Sequence, residues 1–440
     1  MRSGIITKDV PNGSRSLHFR RSEVATYKEN GKNEQNICIF TACVFYCVGN
    51  SIRKETSIKK PLTMKLHWRI LSFSFACLFF SLIAIVKTAA QSVNDAPIRL
   101  AVAGITHGHA PMILDRGKGK TDIILVGIYE PNKDLARRLA GKFNLNADLF
   151  YTDLNKMLDA VKPEAVTAFG SIYEHMEVVE ACAPRGIHVM VEKPLATNLA
   201  HAKRMEELAG KYHIYLLTNY ETSRYPTTAK TYQLVNDSNY LGKIRKVVIH
   251  DGHEGPKEIG VDKEFLAWLT DSVQNGGGAL IDFGCYGANL MTYLMKQEEP
   301  VSVTAVTRQF KPAIYPNVDD DATIIVDYPT AQCIIQASWN WPFGRKDMEV
   351  YGETGYAISL DNTTLRLRNN KSNGEQTLLV TGRDLPVYDD PISYFADVIN
   401  GKIQIPGKGL YSLENNLMVV RILDAARESA KSGKTIFLAK

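Results

Sequence analysis

Between residues 98 and 219 short apolar runs alternate with amphipathic stretches, a rhythm compatible with few folds. Residues 98–103, 123–129, the neighbourhood of Phe150, 165–169, 188–192 and 214–219 read as strands, and 132–143, 153–160, 174–185 and 198–212 as helices. The apolar runs show little polar alternation, which marks strands covered on both faces. The region therefore predicts an α/β domain built on a doubly wound parallel sheet, spanning 96–222.

After Tyr225 and Pro226 the rhythm changes. One helix and a strand over 244–250 are followed by helices near Phe265 and Ala288, then by strand-like runs from Val301 to Leu379. Period-two stretches at 322–326 and 333–339 predict a largely antiparallel open sheet with one covered face. This α+β domain spans 223–440, and its closing helices near 393–399 and 413–430 are expected to pack back on the first domain. Its open sheet face is expected to pair with a second copy of the chain, giving a homo-oligomer.

Residues 1–69 carry 13 Lys and Arg against 5 Asp and Glu, so the formal charge of +5 comes from this region and the remainder is net −3. The body lacks the basic balance that a nucleic-acid binder needs, and no nucleic-acid partner is expected. Lys65 and Arg69, the apolar stretch 70–86 and the small residues Thr88, Ala89 and Ala90 make a secretory signal over 64–90, with cleavage after Ala90. Residues 1–63 then read as an upstream extension, with Met64 as the start. The expected location is periplasmic or secreted; the alternative is an anchor formed by residues 70–90, the one membrane contact expected. Of seven cysteines only Cys182, Cys285 and Cys333 lie in the body, too few and too scattered for a disulfide framework or a zinc site.

Three segments carry chemistry. The first strand leads into Gly104, Ile105, Thr106, His107, Gly108 and His109, a turn in which Gly104 permits the bend of a dinucleotide-binding site while Thr106 and His109 occupy the other small-residue positions. Glu130, 26 positions after Gly104, ends the second strand. An acid there accepts bonds from the adenosine ribose hydroxyls and repels a 2′-phosphate, favouring NAD over NADP, or else caps the next helix. Glu192, Lys193 and Pro194 end another strand, placing Lys193 at the ligand crevice of a Rossmann-type sheet, where a cofactor cation and partial burial are expected to lower its pKa and make it a proton shuttle. Gly276, Gly277 and Gly278 let backbone approach a ligand, and Asp282 and Tyr286 share a face if the segment is one helix.

Together these segments resemble the Gfo/Idh/MocA oxidoreductases, the group of glucose-fructose oxidoreductase and inositol 2-dehydrogenase. The resemblance runs from about Ile98 to Gly355 and includes a late glycine turn at 352–355. It implies that Lys193 acts beside the nicotinamide and the reacting hydroxyl, and that Asp282 and Tyr286 complete the site. Tyrosine in place of the family's histidine is similar to glucose-fructose oxidoreductase and the dihydrodiol dehydrogenases. His175 matches a family histidine beside the cofactor, whereas Gly170, Ser171 and Ile172 replace the usual Thr-Pro-Asn.

The candidate cofactor-binding residues are thus Gly104, Ile105, Thr106, His107, Glu130, Ser171, His175, Glu192 and Lys193. His107 with His109, and the group His250, Asp251, His253 and Glu254, have metal-like spacing but lack a fourth partner; no metal is expected, and hydrogen bonding to sugar hydroxyls suits the second group better. His253, Trp268, Trp339 and Arg345 are candidate carbohydrate contacts, the tryptophans as stacking platforms or as sheet packing. The implied function is an NAD-linked oxidoreductase acting on a sugar, sugar acid or polyol. Two other readings stand beside it: a redox-neutral NAD-dependent glycosidase, which suits an exported chain without cofactor supply, and a non-catalytic sugar- or nucleotide-binding protein of the same fold.

Overall fold

The computed structural model describes residues 96–116, 119–296, 298–385 and 387–438. The proposed extension, signal and cleavage point lie outside them. No helix among the described residues is long and apolar enough to cross a membrane.

The first half holds strands β1 (Ile98–Ala103), β2 (Ile123–Tyr129), β3 (Phe150–Tyr151), β4 (Ala165–Ala168), β5 (His188–Glu192) and β6 (Leu216–Asn219). They form one parallel sheet in the order β3-β2-β1-β4-β5-β6. Helices α1 (Pro111–Leu114), α2 (Lys133–Phe143), α3 (Leu154–Val161), α4 (His175–Cys182) and α5 (Leu199–Tyr212) connect them. Local chemistry sets several helix starts: Asn132, Asp153 and Asn198 each accept backbone amides of the first turn through their side chains. Val102, Val166 and Val189 are fully buried, as strands covered on both faces require. The strand order reverses between β1 and β4, so their carboxyl ends open a crevice there.

After α6 (Pro226–Tyr232) come β7 (Ile244–Gly252), α7 (Lys263–Leu269), α8 (Ala279–Asp282) and α9 (Gly284–Leu294), then β8 (Ser302–Arg308), β9 (Asp321–Asp327), β10 (Gln332–Ser338), β11 (Arg345–Gly352), β12 (Gly355–Ser359), β13 (Thr364–Asn369) and β14 (Gln376–Leu379). With β15 (Ile436–Phe437) they build a nine-stranded sheet in the order β14-β13-β12-β11-β7-β10-β9-β8-β15. The pairs are antiparallel except β7 with β10, which run parallel. Val247 and Ile249 of β7, Ile335 of β10 and Met348 and Val350 of β11 share one face and join a core with Met291 and Leu294 of α9. Helix α10 (Pro391–Ile399) contributes Ile392, Phe395 and Val398 to the core that holds Ile98 and Leu100. Helix α11 (Leu413–Ser432), capped by Ser412 and ended by Gly433 at φ 67°, packs against α9, β8 and α5.

Candidate active site

The turn after β1 lies against the chain leaving β4. Gly104 has φ 76°, and a Cβ there would stand 2.7 Å from the Gly170 nitrogen. Only glycine permits this approach. A cavity follows the turn, lined by Gly104, Thr106, Tyr129, Glu130, Gly170 and His175 among others. Into it faces His175, whose Nδ1 lies 3.2 Å from the Leu195 carbonyl while Nε2 is buried without a partner. Burial lowers its pKa to about 4, so the ring is neutral and Nε2 is left as an unused acceptor.

Glu130 ends β2 with one carboxylate oxygen accepting from the Ile105 amide at 3.1 Å and the other from the Asn132 amide at 2.9 Å. It therefore ties the turn to the start of α2, and its remaining lone pairs stay open to hydroxyl donors in the cavity. Burial raises its pKa. The glycine cradle, the strand-end acid and the unpaired His175 nitrogen together fit a dinucleotide.

The neighbouring candidates serve the walls. Thr106 Oγ1 accepts from Trp268 Nε1 at 3.1 Å, and the His107 ring packs 4.6 Å from Phe265 and accepts the His109 amide at Nδ1. Burial holds His107 well below the usual histidine range. The Ser171 hydroxyl sits 2.7 Å from Gln274 and 3.0 Å from Glu174, fully engaged within the protein. Glu192 is 2% exposed and engaged within the protein: it accepts from Asn219 at 2.7 Å and lies 3.1 Å from His109 Nδ1. Burial pushes its pKa up, but His109, His107 and Asn219 outweigh that and hold the carboxylate ionised. Ligand-capable atoms of His107, His109 and Glu192 come within 4.8 Å of one another. Both Nδ1 atoms are already committed, to the His109 amide and to Glu192, so the cluster is hydrogen-bonded internally.

Lys193 emerges at the carboxyl end of β5 and reaches the second domain. Its Nζ donates to the Asp282 carbonyl at 3.0 Å and to Asp282 Oδ1, while Asp282 Oδ2 accepts from Trp339 Nε1 at 2.9 Å. Lys193 and Asp282 are almost wholly enclosed, with side chains 8% and 5% exposed. Nζ also lies 5.4 Å from the Tyr286 ring centroid, with Lys346 Nζ at 5.2 Å. Lys346 in turn pairs with Glu221, which follows β6.

Several expectations need correction. Burial pulls the Lys193 pKa down as anticipated, but the Asp282 carboxylate more than offsets it and the net shift is upward. Asp282 is lowered in spite of burial, by Lys193. Asp282 and Tyr286 do not share one helix, because the chain breaks at Phe283 between α8 and α9; both still border Lys193. The glycine run accommodates protein rather than ligand: a Cβ on Gly278 would stand 1.8 Å from the Asp319 carbonyl oxygen, and one on Gly276 3.0 Å from that of Thr197. Gly278→Ala is accordingly expected to destabilise the fold by about 3 kcal/mol, read as a lower urea midpoint.

Trp339 is fully buried and orients Asp282, and Trp268 is 8% exposed and bonded to Thr106, so neither is an open stacking platform. Arg345 forks onto Asp347 at 2.7 and 3.0 Å and lies over Trp341; strand alternation puts it with His250 on the face opposite Lys346. His253 stays near the site, its ring 5.0 Å from that of Phe283. The group of His250, Asp251, His253 and Glu254 is thereby divided, with His250 bonded to Asp347 at 2.8 Å. Sequence reasoning missed Glu221, Lys346, Trp339 as a partner of Asp282, and the His109–Glu192 pair.

Residues 98–220 match the profile of an oxidoreductase family with an NAD-binding Rossmann fold, and residues 230–358 match the GFO/IDH/MocA C-terminal domain. The chain belongs to the Gfo/Idh/MocA oxidoreductase family. It is 30% identical over 157 residues to a trans-1,2-dihydrobenzene-1,2-diol dehydrogenase of Xenopus laevis (35% of this chain, 42% of the relative). It is 27% identical over 177 residues to the myo-inositol 2-dehydrogenase of Thermotoga maritima (40% and 49%). The matched part thus spans less than half the length of each of these curated relatives. The fold is shared with the aldose-aldose oxidoreductase of Caulobacter crescentus, crystallised with glycerol, at a TM-score of 0.65, 21% identity and coverage of 78% of this chain and all of that one.

Proposed function

We propose that the chain is an NAD-linked oxidoreductase acting on a hydroxyl of a sugar, sugar acid or polyol, with Lys193 as the proton shuttle. The observation that carries this reading is the buried Lys193–Asp282 pair at the carboxyl edge of the parallel sheet, more deeply enclosed than the neighbouring Lys346–Glu221 pair. The alcohol-oxidising activities named for the inositol and dihydrodiol relatives support it.

Bound NAD would supply the acceptor for the two electrons that leave the alcohol carbon. The turn at Gly104, Glu130 and the free Nε2 of His175 would hold it. Lys193 Nζ takes the hydroxyl proton in its neutral form, and Asp282 fixes the amine and stabilises the ammonium that results. Burial, then nearby carboxylates, hold the Tyr286 phenol well above its usual range, so it serves as a hydrogen-bond donor to substrate oxygen and not as a base. Formation of NADH in step with a ketone or lactone product tests the reading; glycoside cleavage without net NADH overturns it.

NAD is the proposed cofactor ahead of NADP. Replacing Glu130 by Ser should raise the NADP-to-NAD ratio of kcat/KM by on the order of 10–100-fold, since it removes a carboxylate from the ribose end. Export with cleavage after Ala90 and self-association through the open face of the second sheet are part of the same proposal; a mature protein beginning at Gln91 is the expected result of N-terminal sequencing, against an uncleaved anchor.

A further inference from the structure

Asp251 lies at the end of β7, 1% exposed, and neither of its carboxyl oxygens has a hydrogen-bond partner. Its side chain belongs to the face that carries Val247 and Ile249, and across the ladders it stands beside Lys346 of β11 and Ala337 of β10. That is the face on which Trp339, Asp282 and Tyr286 meet Lys193. The charges that act on Asp251 come from Lys346, Asp347, Glu221 and Lys193, and Asp251 in turn acts on Tyr225 and Cys285. A buried carboxyl with no partner is costly to keep. Here it stands in the same enclosure as Lys193, Lys346 and Glu221, whose charges act on it.

The remaining charges of that enclosure balance. Lys193 is matched by Asp282 and Lys346 by Glu221, while burial keeps the His253 pKa low. Both lysines that act on Asp251 are therefore already neutralised by a carboxylate. Burial also pushes the Asp251 carboxyl well above the usual range, so it carries its proton and offers one donor and one acceptor, the complement of a hydroxyl.

We propose that Asp251 is a specificity-determining residue that takes a second hydroxyl of the substrate, so that the site selects an uncharged polyol over a sugar acid. This rests on the alcohol-oxidising reading above, and the test separates the two. Calorimetric titration of myo-inositol and of D-gluconate is carried out on the full chain with NAD present, for wild type, Asp251→Ala and Asp251→Asn, alongside melting curves.

Wild type should bind myo-inositol more tightly than gluconate. Asp251→Ala should weaken myo-inositol binding about 10- to 100-fold without lowering the melting temperature, because it deletes an unsatisfied group. Asp251→Asn, which keeps a donor and an acceptor, should recover most of the loss. Equal affinity in wild type and Asp251→Ala would mean a carboxyl satisfied by water alone and overturn the proposal, as would preference for gluconate or no polyol binding. Binding without any NADH formation would sink the redox reading and leave the Asp251 assignment standing.

Discussion

Replacing Lys193 by Met is expected to lower kcat by about 10²–10⁴-fold while leaving NAD affinity within a few-fold of wild type. The size follows from losing a positioned base that takes the hydroxyl proton. Methionine keeps the unbranched apolar stem and removes the charge, so the walls of the crevice stay filled. It also strands the Asp282 carboxylate, which retains only the Trp339 indole, and losing one partner of a buried pair costs about 3–5 kcal/mol of stability. The double variant Lys193→Met/Asp282→Asn avoids the stranded charge. It should be as inactive as the single variant and more stable, which separates loss of chemistry from loss of fold. Activity near wild type in either variant would remove Lys193 from the mechanism.

Asp282→Asn should change the pH profile as well as the rate. In the native pair burial pulls the Lys193 pKa down and Asp282 pulls it up further, so the amine is protonated at neutral pH and oxidation should rise with pH through the alkaline range. Asparagine removes the attraction and leaves the burial. The Lys193 pKa then falls, and the ascending limb of kcat/KM moves toward neutral pH. The plateau rate should drop by about 10²-fold, since the amine keeps neutral acceptors at residue 282 but loses the carboxylate charge that holds it and stabilises the ammonium. A limb that stays in place would show that Asp282 does not set the protonation of Lys193.

The legible parts of the sequence were those in which one residue's neighbours along the chain decide its environment. Val102, Val166 and Val189 sit in runs that make sense only with both faces covered, and the six-stranded sheet follows from them. Gly104, Glu130 and Lys193 could be placed because strand ends are visible as the ends of such runs. Partners supplied by tertiary packing were not legible. Trp339 lies 57 residues from Asp282, and Lys346 lies 125 residues from Glu221.

Arg345 and Lys346 show the limit most sharply. One step along a strand reverses the face, and only the β7–β11 register decides that Lys346 borders the site while Arg345 joins Asp347 on the other side. The glycine run had the same ambiguity. Its glycines announce a close approach, and the approaching segments are Asp319 at Gly278 and Thr197 at Gly276.

Titration of NAD and of NADP into the purified chain, followed by calorimetry, bears most directly on whether this crevice holds a dinucleotide beside Lys193. One-to-one binding of NAD is expected, tighter than NADP and abolished by Gly104→Val, whose side chain would occupy the space against Gly170. Heat with neither dinucleotide would contradict the oxidoreductase reading and leave a protein of this fold that binds carbohydrate alone.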